Sequence, residues 1–325
     1  MAEEAYYKAY LKWYAESLML FESKVPYIVI SYVLCSAIII LNSIEIHLIR
    51  KKWKQMTRFE VILLNLASAD MLTGISLLAI TSIETYYYVK NDYHVDFLTS
   101  AMYFIMLSIS SAGNFVIVIG IERLSAIGRP LVHRIYHSSK SAIMKWMIAV
   151  WFLNIAFSTS AVVLDRLLNT KVFQGSVGSK KLGYAMAAYL ILSIAIMVVL
   201  YSGIAYSIMR RHSKFIAFSL KEATNPSAMK KAVQKEKATI VVCVLVVLTY
   251  LVFNVPIAVN LLHGKIQRAQ YILVTLNSTV NPLIYFFKGF IEKYYAGKRN
   301  VVQHQGTERL VLGQQNHGAS DDTPL

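Results

Sequence analysis

The chain has 325 residues, 56% of them hydrophobic and 16% charged, with a mean hydropathy of +0.48. That balance excludes an ordinary soluble domain, which carries more charge and confines its apolar residues to one face of each element. The formal net charge of +15 is spread over several short stretches, which argues against nucleic acid as the partner and for an anionic membrane surface.

Met1–Lys24 is polar and mixed in charge, without the short apolar core and small-residue cleavage site of a signal peptide. Seven apolar blocks follow: Pro26–Ile49, Phe59–Ile83, Phe97–Ile121, Ala142–Leu164, Gly183–Met209, Ala238–Leu262 and Ile266–Phe287. Each is close to the ~20 residues that a helix needs to cross a bilayer. Hydrocarbon admits only helices and closed barrels, and blocks this long lack a barrel's period-two alternation. The expected fold is an all-α membrane protein, a seven-transmembrane helix bundle, with the first block acting as an uncleaved signal-anchor.

Basic residues orient it. Of the 33 Lys and Arg, 23 lie around the connectors after blocks 1, 3 and 5 or in the C-terminal segment, with Lys145 counted among them. The other 10 belong to the opposite side. The expected organisation is an extracellular N-terminus over 1–25, a seven-transmembrane bundle over 26–287 and a cytoplasmic tail over 288–325. The start of the tail, "KGFIEKYYAGKRN", mixes aromatic and basic residues and suits a short amphipathic helix on membrane lipid. The remainder reads as disordered.

Polar residues inside the blocks carry the functional signal. The first block holds Asn42, and the second holds Asp70 within "LNLASAD". A mid-membrane carboxylate marks a functional site by default, though it can also serve as a hydrogen-bond anchor. The third block runs into "GIERLSAIGRPL", with Glu122 and Arg123 adjacent, and Glu236 stands just ahead of the sixth block on the same basic side. An Arg123–Glu236 contact would tie helices 3 and 6 together in one state and release them in another; the alternative is a solvated surface charge.

The seventh block contains "NSTVNPLIY", with Asn277, Ser278 and Asn281 ahead of or beside Pro282. Asn residues in hydrocarbon are costly unless they find partners or line a wet cavity, and Pro282 removes a backbone donor and kinks its helix. Asn42, Asp70, Asn277, Ser278 and Asn281 therefore form an expected polar core that holds water or an oxygen-seeking cation such as Na⁺. Both cysteines, Cys35 and Cys243, fall inside blocks, so no structural disulfide is expected. The glycosylation motif at Asn277 lies within the seventh block, so no glycan is expected.

These motifs together resemble the rhodopsin-like G-protein-coupled receptors, and the resemblance covers nearly all seven blocks. Asn281, Pro282 and Tyr285 match the family's NPxxY, and Asp70 the acid of its LxxAD. Asn42 matches the helix-1 asparagine. "ERLSAIGRPL" is similar to DRYxAIxxPL, with Pro130 and Leu131 as the loop pair. Trp151, Tyr206 and Pro256 match single positions of helices 4, 5 and 6. The resemblance implies that Arg123 holds the resting state through Glu122 and Glu236, then meets a heterotrimeric G protein after helix 6 moves outward. It further implies that Tyr206 and Tyr285 swing inward to support the open form, and that Leu131 docks in the partner.

Departures from the family pattern narrow the ligand. Leu98 stands in place of the usual disulfide cysteine, Val198 in place of the helix-5 proline, Asn254 in place of the helix-6 tryptophan, and Leu124 in place of the DRY tyrosine. Loss of the disulfide and of that proline is loosely similar to melanocortin and some lipid receptors. Ile105 replaces the aminergic aspartate and Thr275 the retinal-binding lysine, which argues against both ligand types. Glu84, Tyr86–Tyr88, Asp96, Ile105, Asn254, Asn260, His263 and Tyr271 are the candidate lining of an outer pocket. Its ligand is a peptide, a lipid or a small molecule, with interfacial aromatics and loop charges as the plainer reading. The expected location is the plasma membrane. A transporter or channel is the alternative, but no pseudo-symmetric halves are visible. An enzyme is not expected, because His47 lacks a second ligand or paired acid at suitable spacing. No cofactor beyond Na⁺ is expected.

Overall fold

Seven helices in chain order build the bundle. The computed structural model describes residues 24–51, 53–90, 95–128, 140–169, 180–219, 226–263 and 270–287. Helix α1 is Lys24–Lys51, and a single 3-10 turn at Trp53–Gln55 leads to α2, Arg58–Lys90. Then come α3, Val95–Gly128; α4, Lys140–Asn169; α5, Lys180–Ser219; α6, Pro226–Leu262; and α7, residues 270–287. Helices α1 to α6 are each long and apolar enough to cross a membrane. Helix α7 carries the polar run from Asn277 to Pro282.

The helices outrun the apolar blocks, above all α5, which continues from Met209 to Ser219, and α6, which begins at Pro226 ahead of Ala238. Outside hydrocarbon a helix keeps its internal hydrogen bonds, and Arg, Lys and Ala propagate it well. Helix α2 begins at a capping box. Thr57 N–H and Oγ1–H donate to Glu60 Oε2 at 2.7 and 2.9 Å, and Glu60 N–H donates to Thr57 Oγ1 at 3.3 Å. Arg50 and Lys51 close α1, where cations complement the helix dipole.

Burial sorts the helices. The apolar windows of α2 and α3 are 61% and 67% buried, whereas those of α1 and α4 are only 17%, so α2 and α3 are central and α1 and α4 face lipid. Outward residues such as Val33, Phe152, Leu153 and Val199 are apolar, as a bilayer requires. Lipid supplies no hydrophobic drive between helices, so close packing must do that work. Gly74 shows it: a Cβ there would lie 2.9 Å from Ile38 Cγ2, so only glycine lets α1 approach α2 this closely.

Two apolar clusters fill the interior. One, around Phe115, Ile119, Met147 and Met197, draws on residues 59–69 of α2 and 112–119 of α3. The other, around Leu77, Ile105, Leu190 and Ile257, lies toward the opposite end. Asp70 falls in the stretch of α2 between them, so the polar residues form a seam across the bundle. Hydroxyls near it bond back to their own helices, as Thr73 does to Ala69 O at 3.1 Å and Ser76 to Leu72 O at 2.7 Å.

Candidate functional site

Pro282 organises the seam. Lacking an N–H, it leaves the carbonyl four residues earlier, Ser278 O, without its helical donor. Asn42 Nδ2 reaches across from α1 and donates to that oxygen at 3.2 Å, while also donating to Ile38 O at 2.9 Å. The asparagine in α1 thus answers the proline in α7. One residue before Pro282, Asn281 Nδ2 donates to Asp70 Oδ2 at 2.9 Å and ties α7 to α2. Ser278 faces the same carboxylate. Asn42 and Asp70 have no exposed surface, and Ser278 and Asn281 are buried.

The expected cluster is therefore assembled from Asn42, Asp70, Ser278 and Asn281. Asn277 stands apart: it is half-buried, and no hydrogen bond joins it to the others among the described residues. Among those residues, Asp70 Oδ1, Asn42 Oδ1 and, on α3, Ser111 Oγ are buried without a hydrogen-bond partner. A buried polar atom left unmatched is costly, and these are all oxygens, the donor chemistry of a hard cation or of water. The residues present fit Na⁺ in that sense.

Glu45 joins this region unannounced. It is buried, one helical turn beyond Asn42, and within electrostatic reach of Asp70. The spacing of three residues from Asn42 places both on one face of α1 and was the available signal.

Near the C-terminal end of α3, Arg123 Nε lies 3.0 Å from Glu122 Oε2. The approach lacks hydrogen-bond alignment, so it is a charge contact rather than an aligned fork. The same guanidinium lies over the Phe59 ring of α2, 4.0 Å from its centroid, and Phe59 meets Tyr285 of α7 edge-on at 6.0 Å. Tyr206 is 60% exposed and faces away from the bundle axis. The side chain of Glu236, the loop residue Leu131 and the tail beyond 287 lie outside the described residues.

Further polar ties fix α2, α3, α4 and α5. Trp151 Nε1 donates to Asn65 Oδ1 at 3.0 Å, and Asn114 Nδ2 donates to Asn154 Oδ1 at 2.8 Å. Tyr189 donates to Ser110 O at 2.7 Å. Gly113 leaves a notch on α3: a Cβ there would be 2.9 Å from the Tyr250 hydroxyl and 3.2 Å from that of Tyr189. Asn254, the residue in place of the usual tryptophan, is buried and donates to Tyr250 O at 2.9 Å.

In the half of the bundle built around Leu77 and Ile105, Glu84 and Tyr271 line one cleft, together with Tyr27, Cys35 and Thr81 between α1, α2 and α7. Its internal space is about 10 Å³, enough for one water rather than a ligand. Ile105 is buried in the apolar packing of the same half. The side chains of Asp96, Tyr87 and Tyr88 lie outside the described residues. No group of three or more His, Cys, Asp or Glu side chains arranged for a metal occurs among the described residues.

The profile of the family described as 7 transmembrane receptor (rhodopsin family) matches residues 41–285, which is most of the chain. No curated protein matches it.

Proposed function

The chain belongs to the rhodopsin family of seven-transmembrane receptors, and from that premise we propose that it converts an extracellular ligand signal into nucleotide exchange on a heterotrimeric G protein. The observation that carries this reading is the pair of cross-helix bonds around Pro282, Asn42 to Ser278 O and Asn281 to Asp70. They join three helices at the point where Pro282 denies α7 an internal hydrogen bond, so beside the apolar packing of Val274 and Ile284 the helix is held there by bonds that can be exchanged. A ligand acts by binding one arrangement of these helices better than the other, and by no more than that difference.

In the resting form Glu122 neutralises Arg123, and Glu236, twenty residues before Pro256, is placed in sequence to bring a second carboxylate from α6. Activation moves the cytoplasmic end of α6 outward, using the kink that Pro256 gives it. Arg123 then turns to the G protein, Leu131 docks against it, and Tyr206 and Tyr285 turn inward. Asp70, Asn42 and Ser278 would hold water or Na⁺ in the resting form; a bound cation would supply the positive charge that the buried carboxylate lacks. The N-terminus faces outward at the plasma membrane. The ligand enters from the outer half near Glu84, Tyr271 and Asn254, and the narrow cleft there must open to take it.

Purified protein in liposomes separates this reading from transport. Accelerated guanine nucleotide exchange on an added G protein, without solute or ion flux, is the expected result. Flux without exchange would refute it.

A further inference from the structure

We propose that Phe59 is a positioning residue for Arg123, holding the guanidinium against α2 and setting how often the bundle opens in the absence of ligand; this rests on the reading of Arg123 as the G-protein contact. The residue was not singled out by any motif. It sits in the first turn of α2, next to Arg58, with only 6% of its surface exposed. On one face it carries Arg123 of α3 at 4.0 Å, close enough for the ring quadrupole to attract the cation. Tyr285 of α7 meets the ring at 70°, an edge-to-face arrangement. One aromatic ring therefore touches two residues that the activation mechanism moves.

The contact has a direction. Glu122 approaches Arg123 without hydrogen-bond alignment, so the carboxylate neutralises the guanidinium but does not by itself fix its orientation. The Phe59 face does, by confining the planar group to the α2 side of the cytoplasmic mouth. To reach a partner, Arg123 must leave the ring, and to turn inward, Tyr285 must leave its edge. Each departure removes attraction that exists only in the resting arrangement, so the ring biases the equilibrium toward rest. A leucine would fill similar space and supply no quadrupole.

The test replaces Phe59 with phenylalanines bearing one, two or three fluorines, which weaken the ring's hold on a cation while barely changing its shape, and with Phe59→Leu. Cys35 and Cys243 are first replaced by alanine. Spin labels are then placed at Met144→Cys on α4 and Val241→Cys on α6, both exposed positions. Pulsed electron resonance on the receptor in lipid nanodiscs, without G protein or ligand, reads the fraction with α6 displaced. The expected result is a stepwise rise with fluorine count, reaching about two- to fivefold, the population change that one such contact carries. An open fraction that ignores fluorination overturns the proposal, and a change in Phe59→Leu alone would mean that the ring only fills space. Nucleotide exchange on the same samples separates the two readings. Graded opening with no exchange would refute G-protein coupling and leave the role of Phe59 standing, while exchange with ungraded opening would refute Phe59 alone.

Discussion

Asn42→Ala removes the donor that Ser278 O receives in place of the one Pro282 cannot give. Ser278 is 2% exposed, so water does not reach its carbonyl freely, and the oxygen is left unmatched. An unsatisfied buried acceptor costs ~1–3 kcal/mol in soluble proteins, while cross-helix bonds in membranes measure ~0.6 and at most ~1.7 kcal/mol. The 3.2 Å bond is long and shares its donor with Ile38 O, which favours the lower part of the range, ~1 kcal/mol. The decisive step is the second substitution. Pro282→Ala restores an N–H aimed at Ser278 O, so in that background the loss of Asn42 should cost almost nothing. Unfolding free energies of the four proteins, titrated with a denaturing detergent in mixed micelles, complete the cycle. A coupling near ~1 kcal/mol is expected; additivity within ~0.3–0.5 kcal/mol would show that proline and asparagine do not share that carbonyl.

Sodium, compared with a bulky organic cation at equal ionic strength, should lower ligand-free nucleotide exchange, and Asp70→Asn should abolish the difference. Equal rates in the two salts would leave water as the occupant of the polar core. Gly113→Ala should destabilise the bundle by ~1–3 kcal/mol, because its Cβ would stand 2.9 Å from the Tyr250 hydroxyl, and adding Tyr250→Phe should recover most of the loss in a thermal unfolding assay. Failure of the second change to restore stability would mean that the strain lies elsewhere.

Spans and seam were legible because hydrocarbon imposes them. A block of ~20 apolar residues has no structure open to it in lipid other than a helix, and Asn42, Asp70, Ser278 and Asn281 stand out against such a background. Which of those groups would meet was less legible. Asn277 and Asn281 are four residues apart and look alike in sequence, yet only Asn281 reaches Asp70, because the rotation of α7 is set by packing that no motif states. Glu45 and Phe59 went unmarked for different reasons. The carboxylate of Glu45 is near enough to a basic helix end to pass for an interfacial charge, and Phe59 is one apolar residue among many until the approach of α3 and α7 gives its ring two specific neighbours. The candidate pocket was the least legible, since a pocket depends on helix separation. Glu84 and Tyr271 do share a cleft, but its width follows from how closely α1, α2 and α7 pack.

The proposed role of Arg123 in passing the signal on is tested most directly by ligand-free guanine nucleotide exchange by heterotrimeric G proteins on purified receptor in nanodiscs. Wild-type protein should accelerate exchange above the rate of the G protein alone. Arg123→Ala, checked for unchanged helical content and thermal unfolding, should leave that rate at the G protein's own value. Acceleration by the variant equal to that of wild type would contradict the account.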